Sequence, residues 1–155
     1  MVDKVKRIQA LGAAEDWLAI LVTQFPGRTP SSSLVNVGLI PHPVTGDTVL
    51  AFVSRGGTAK LRNLRAIPQA SLVFRSGWDW ISAIGAAEIV GPDDPHARIA
   101  ATEVPGLLRT IYAAAGGTHP DMAAYDREMV EDRRAAVLIT PTSFVTNPVP
   151  HDRED

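Results

Sequence analysis

The chain has 155 residues, a mass of 16.6 kDa, 45% apolar and 21% charged residues, and a net charge of −2. That length suits one domain with a real core, and the apolar share excludes wholesale disorder; no run approaches the roughly 20 apolar residues of a membrane-spanning helix. With no cysteine, disulfides, thiol catalysis and iron–sulfur clusters are excluded.

Lys4 to Asp16 predicts an opening helix, with Val5, Ile8 and Leu11 at helical spacing. Trp17 to Phe25 is a short apolar, partly β-branched run expected to be a buried strand, with Trp17 in the core, and Pro26-Gly27-Arg28-Thr29-Pro30 breaks it. Ser33 to Ile40 predicts the returning strand, Pro41 to Asp47 a turn that leaves His42 exposed between two prolines, and Thr48 to Ser54 a third strand. Thr58 to Ala66 then reads as a short helix, with Thr58 at the N-cap position and Pro68 beyond its end.

Ala70 to Arg75 and Trp78 to Val90 predict two more strands joined by a tight turn at Ser76-Gly77. Trp78 and Trp80, two residues apart on one strand, are expected to share a face. Helices are expected over His96 to Ala115, with Pro105-Gly106 as a possible break, and over Pro120 to Asp132. A last strand spans Ala135 to Thr140, and Pro148 to Asp155 reads as a frayed polar tail. Five or six mostly antiparallel strands with late helices indicate a mainly β, α+β fold: one small barrel domain over residues 1–155, closed by helices. The opening Met-Val-Asp-Lys-Val-Lys-Arg lacks the apolar core of a secretory signal, so a cytoplasmic protein is expected.

The charge is unevenly spread. Between Trp17 and Trp78 the sole acid is Asp47 against six basic residues, a local balance of +5, while the remainder carries −7. A general nucleic-acid binder tends to be basic throughout, so a local anion site fits better, with a solvated basic face as the bland alternative. The densest cluster is Arg55-Gly-Gly-Thr58-Ala-Lys60-Leu-Arg62-Asn63-Leu-Arg65. Two glycines permit close backbone approach, a helix start offers unpaired N–H groups, and Thr58 and Lys60 can reach one phosphate together. The competing reading is a surface helix with Arg62 and Arg65 in water and Leu61 and Leu64 buried. The spaced Gly-Lys-Ser/Thr signature of nucleotide-triphosphate loops is absent, as are HExxH and a Gly-x-Ser-x-Gly elbow; the four histidines are scattered, so no metal site is expected. Arg133, Arg134 and the nearby acids are expected to form ion pairs.

Thr58-Ala-Lys60-Leu-Arg62-Asn63-Leu-Arg65-Ala-Ile-Pro68-Gln-Ala-Ser71 resembles the motif that follows the third strand in pyridoxamine-phosphate-oxidase-like, FMN-binding split β-barrel proteins. Ser76-Gly77-Trp78-Asp79-Trp80, leading to Gly85-Ala-Ala-Glu88-Ile-Val90, is a second match. Tyr125-Asp-Arg-Glu-Met129-Val-Glu-Asp132-Arg133-Arg134 is a third, and it tilts the likeness toward the actinobacterial flavin/deazaflavin oxidoreductases of subgroup B. The resemblance covers roughly Trp17 to Asn147.

It implies a homodimer with cofactor sites at the subunit interface. Lys60 would hold the cofactor phosphate, supported by Thr58 and Arg55, with Asn63 organising the turn. Relatives often carry Arg where this chain has Thr58, so Arg55 or Arg62 would compensate. Asn36, Val37, Val53 and Ser54 would line the ring. Trp78 would flank it, and Trp80 and Tyr125 would contact the substrate. The implied activity is hydride transfer from reduced coenzyme F420 to a small conjugated or quinone-like acceptor. The long acid-free stretch with Arg55, Lys60, Arg62, Arg65 and Arg75 suits the polyanionic tail of F420 better than the single phosphate of FMN. The alternatives are an FMN-dependent oxidase of the same barrel, which the acidic end at Asp152, Glu154 and Asp155 fits less well, and a non-catalytic F420-binding storage protein. Tyr112, Tyr125 or an ordered water is the expected proton source, with no obligatory acid–base residue visible.

Overall fold

Apolar residues recur along six segments, alternating in some and continuous in others, and each becomes an antiparallel strand with one face turned to a common interior. In this computed structural model residues 1–148 are described; apart from Pro148, the polar tail expected at residues 148–155 lies outside them. In chain order the elements are α1 (Val2–Ala14), β1 (Leu18–Thr23), β2 (Ser31–Pro41), β3 (Thr48–Ser54), α2 (Ala59–Ala66), β4 (Gln69–Ser76), β5 (Asp79–Val90), α3 (Val104–Ala114), α4 (Met122–Glu131) and β6 (Ala135–Thr146). The strands close into a barrel in the order β1-β2-β3-β6-β5-β4. Pairing of Leu21 with Leu72 makes the closure, which leaves no open sheet edge.

Two apolar cores follow from the two faces of the sheet. Inside the barrel, Leu21, Phe52, Leu72, Phe74 and Val137 are sealed from water, capped by Ile8 of α1 and by Leu61 and Leu64 of α2. Each fully buried side chain of this kind contributes about 1.5–3 kcal/mol. Outside the barrel, Val49 and Ala51 of β3 and Leu138 of β6 face α3 and α4 through Leu108, Ile111 and Met129. Strands β3 and β6 are thus covered on both faces, which is why they read as continuous apolar runs rather than alternating ones.

Gly85 allows β5 to press onto β6: a Cβ there would collide with the carbonyl of Thr140. The register of this pair slips between Ile84 and Gly85. That irregularity admits Pro141 inside β6 and lets the strand run on to Thr146, six residues past the expected end.

Four expectations need correction. The helix expected from His96 begins only at Val104, because residues 91–99 fold into two tight bridged turns and Pro105 sits in the first helical turn, where it starts α3 instead of splitting it. Trp17 is only half buried; it lies in the left-handed region (φ 59°) in the turn after α1, with its indole over Gly12. His42 is buried (5% exposed), because Glu88 supplies a partner across the barrel wall at 2.7 Å. Trp78 is not on a strand with Trp80: it stands in the β4–β5 turn, 94% exposed, and makes no shared wall. No helix among the described residues is long and apolar enough to cross a membrane.

Candidate functional site

The loop from β3 into α2 carries most of the chemistry expected from the sequence. Gly56 lets this loop lie against the α4–β6 corner: a Cβ would strike Arg133, and the Gly56 N–H donates to the carbonyl of Asp132 at 3.0 Å. Gly57 turns the chain in the left-handed region (φ 75°). Thr58 is the residue before α2, but its hydroxyl does not cap the helix; it pairs with the Ser54 hydroxyl at 3.0 Å. The first turn of α2 therefore has no side-chain cap, and its N–H groups are open to an incoming acceptor.

Charge around this turn is more selective than the sequence implies. The Arg55 guanidinium donates to Asp132 at 2.9 Å, and Arg65 grips Asp94 with two bonds of 2.8 and 2.6 Å. Both arginines are thus neutralised by acids that lie far off in sequence. The Asp94 hydrogen bond raises the pKa of Arg65, while N–H donation from Arg134 and then Arg55 holds the Asp132 carboxyl below the usual carboxylate range, against the opposing effect of desolvation. Lys60 and Arg62 have no carboxylate partner among the described residues. Arg62 lies 5.5 Å from the centre of the Phe25 ring and Arg28 lies 5.3 Å from the same ring. Arg62 and Arg28 thus flank Phe25 together, while Lys60, two positions before Arg62, projects from a different face of α2.

Beyond the end of β3, a groove of about 310 Å³ opens between the barrel and α3 and α4. Asn36 and Val53, two expected ring-lining residues, belong to it, as does Tyr125. The Asn36 side-chain N–H donates to the carbonyls of Asp16 at 2.9 Å and Ala115 at 3.2 Å, which fixes the amide at the junction of α1, β2 and α3. Val37 is not part of the groove: alternation turns it into the sealed barrel core. Asn63 is also buried, facing β1, so its role is to position α2 rather than to touch a ligand. Trp80 is half buried on β5, and neither it nor Trp78 lines the groove in this chain.

Both tyrosines expected as proton sources are engaged. The Tyr125 hydroxyl donates to the carbonyl of Leu108 at 3.3 Å and that of Tyr112 to Thr118 at 2.8 Å; burial raises the Tyr125 pKa further. The groove instead contains Glu128 and Arg134, which the sequence marked only as part of a family motif and as ion-pair formers, and His119, which does not stand out in the sequence. His119 accepts the Asp121 N–H on Nδ1 at 3.0 Å, which leaves its proton on Nε2. No run of spaced residues could have signalled it, because the loop between α3 and α4 alone carries it to the groove.

No protein-family model matches the chain. Among solved structures it is similar to a pyridoxamine 5′-phosphate oxidase-related, FMN-binding protein from Nostoc punctiforme, at TM-score 0.62 and 13% identity over 92% of this chain and 80% of that one. It is similar to an F420 reductase at TM-score 0.57 and 18% identity, over 84% of this chain and 90% of that one. Protein Atu2129 of Agrobacterium tumefaciens, of unknown function, matches at TM-score 0.60 and 18% identity over 90% of this chain, which spans only 56% of its length. With its six antiparallel strands closed around one core and α2 inserted between β3 and β4, the chain has the split β-barrel fold of the pyridoxamine 5′-phosphate oxidase-like, FMN-binding proteins.

Proposed function

We propose that this chain is an oxidoreductase that holds a phosphate-bearing flavin-type cofactor, coenzyme F420 in the first reading, and works as a homodimer on a small conjugated or quinone-like acceptor. The observation that carries the reading is the uncapped first turn of α2 beside Lys60, whose ammonium has no protein counter-ion among the described residues. Thr58 and Ser54 add a hydroxyl pair at the same place. These groups fit a phosphate. Arg62 and Arg28, beside Phe25, add more positive charge around α2 than one phosphate needs, which supports the polyanionic F420 over FMN.

When bound, the cofactor supplies hydride chemistry. The chain's own residues do the rest. Lys60 neutralises the phosphate, the fixed Asn36 amide orients the ring, and Val53, Ile111 and Met129 keep water from the groove. His119 holds a proton on Nε2 at the groove wall. The neutralised Arg55 steadies the loop through Asp132 rather than serving as a phosphate ligand.

The dimer reading rests on the outer barrel wall. Leu34 pairs with Ile20, Ile20 with Val73, Val73 with Ser82 and Ser82 with Val145, so one outward row crosses five strands. Leu34 is 64% and Val145 51% exposed, an apolar stripe that a second copy would cover. In such a dimer the exposed Trp78 would be available to the partner's cofactor site. The FMN reading is favoured by the room for one phosphate at the first turn of α2, and the storage reading by the engaged tyrosine hydroxyls.

Fluorescence titration with F420 and with FMN, followed by a turnover assay with menadione, separates the readings. Tighter F420 binding with oxidation of the reduced cofactor is expected. Tighter FMN binding favours the oxidase, and F420 binding without turnover of any acceptor favours storage. Binding of neither cofactor overturns all three.

A further inference from the structure

Behind α4, on the side away from the groove, lies a second cavity of about 480 Å³, bounded by residues 90–101, α3 and α4. We propose that it is a separate binding site for an uncharged, apolar small molecule of about two or three fused rings. The proposal stands apart from the cofactor assignment.

The lining sets the ligand's character. Val90, Ile99 and Leu108 are buried core residues, and Pro95, Val104 and Met129 complete an apolar bowl. Every charged group on the rim is already paired: Asp94 with Arg65, Asp126 with Arg109, Arg133 with Asp93 and Arg134 with Asp132. His96, on the wall, also has both ring nitrogens in use, accepting the Arg98 N–H on Nδ1 and meeting Glu88 through Nε2 at 3.0 Å. A charged ligand would lose its hydration and find no unpaired counter-ion, whereas a neutral one loses only its contact with water.

The cavity is held open rather than left over. The 91–100 loop is tied to three different elements: Asp94 to α2, Asp93 to the α4–β6 corner and His96 to β5. The bowl is open to solvent on one side, and concave, largely apolar surfaces of this size suit small apolar ligands. Ties at three points hold the loop off Val104 and Leu108 of α3.

The test uses the full chain and prodan, a neutral naphthalene dye whose emission shifts to the blue in apolar surroundings. Saturable binding at one dye per chain is expected. Ala101→Trp, which places an indole at the exposed lip, should weaken it by at least about tenfold. Val104→Trp, deeper in the bowl, is the second variant should the first misfold. Neutral 2-acetylnaphthalene should displace the dye at a concentration at least about tenfold below that of 2-naphthoate, the charged analogue. Dye binding that survives both substitutions in folded protein, or is absent from the wild type, overturns the site. Equal displacement by naphthoate overturns the neutral-ligand assignment.

Discussion

Asn63 on α2 donates its side-chain N–H to the Thr23 hydroxyl on β1 at 3.1 Å, with both residues buried and forty positions apart. This bond fastens the helix that carries Lys60 to the barrel wall. The other end of the amide, Oδ1, is buried without a partner, so the site carries a standing polar cost. Thr23→Val removes the remaining acceptor and should destabilise the protein by about 1–3 kcal/mol. Pairing it with Asn63→Leu should recover most of that loss, since no polar group then stays buried unpaired. Urea unfolding of the two single variants and the double variant checks this; equal losses in all three would refute it.

Lys60→Ala should weaken the phosphate-bearing cofactor by about 1.5–3 kcal/mol, the range of a charge-assisted hydrogen bond, without changing the fold. Arg65→Ala, which removes a cation already committed to Asp94, should change cofactor affinity much less. Titration of both variants at matched salt distinguishes them, and equal effects would show that general positive charge, not the helix turn, holds the anion.

Glu88 accepts from both His42 and His96, and each ring uses Nδ1 to accept a backbone N–H. Desolvation would raise the Glu88 pKa, but the two histidine donors together bring it below the ordinary value. A lowered carboxyl pKa contributes stability that is present above the unfolded value, about 4.3, and is lost as pH falls through the folded value. Stability of the wild type should therefore fall more steeply below about pH 5 than that of Glu88→Gln. At neutral pH the substitution sets an amide N–H against a histidine N–H and should cost about 0.5–1 kcal/mol, a figure kept small because Glu88 is partly in water. Thermal unfolding across pH reads both effects, and parallel curves for the two proteins would rule out the arrangement.

Leu34→Glu places a charge at the β2 end of the outward apolar row, on its most exposed member. It should convert a dimer to a monomer in sedimentation velocity, while single-chain stability changes within about 0.5 kcal/mol because the position is exposed. An unchanged sedimentation coefficient would remove this face as the interface.

The barrel was legible because short-range rules govern it. Period-two runs, turn residues at Gly46 and Gly77, and a helix start at Thr58 each depend on neighbours a few positions away. The site was less legible because distant residues decide its charge. Arg55 and Arg65 sit in an acid-free stretch of sequence, yet Asp132 and Asp94 arrive beside them only through folding. His42 looks exposed between prolines until Glu88, forty-six positions on, gives it a reason to be buried. Val37 and Asn36 are adjacent in the chain, and strand alternation sends one into the core and the other to the groove.

Met129 and Arg134 line the groove on one side and the cavity behind α4 on the other. They act as a party wall, so a bulky guest in one chamber shifts its thickness toward the other. Occupants of the two chambers should therefore sense each other by direct crowding, and affinities measured one at a time will overstate those found when both are present.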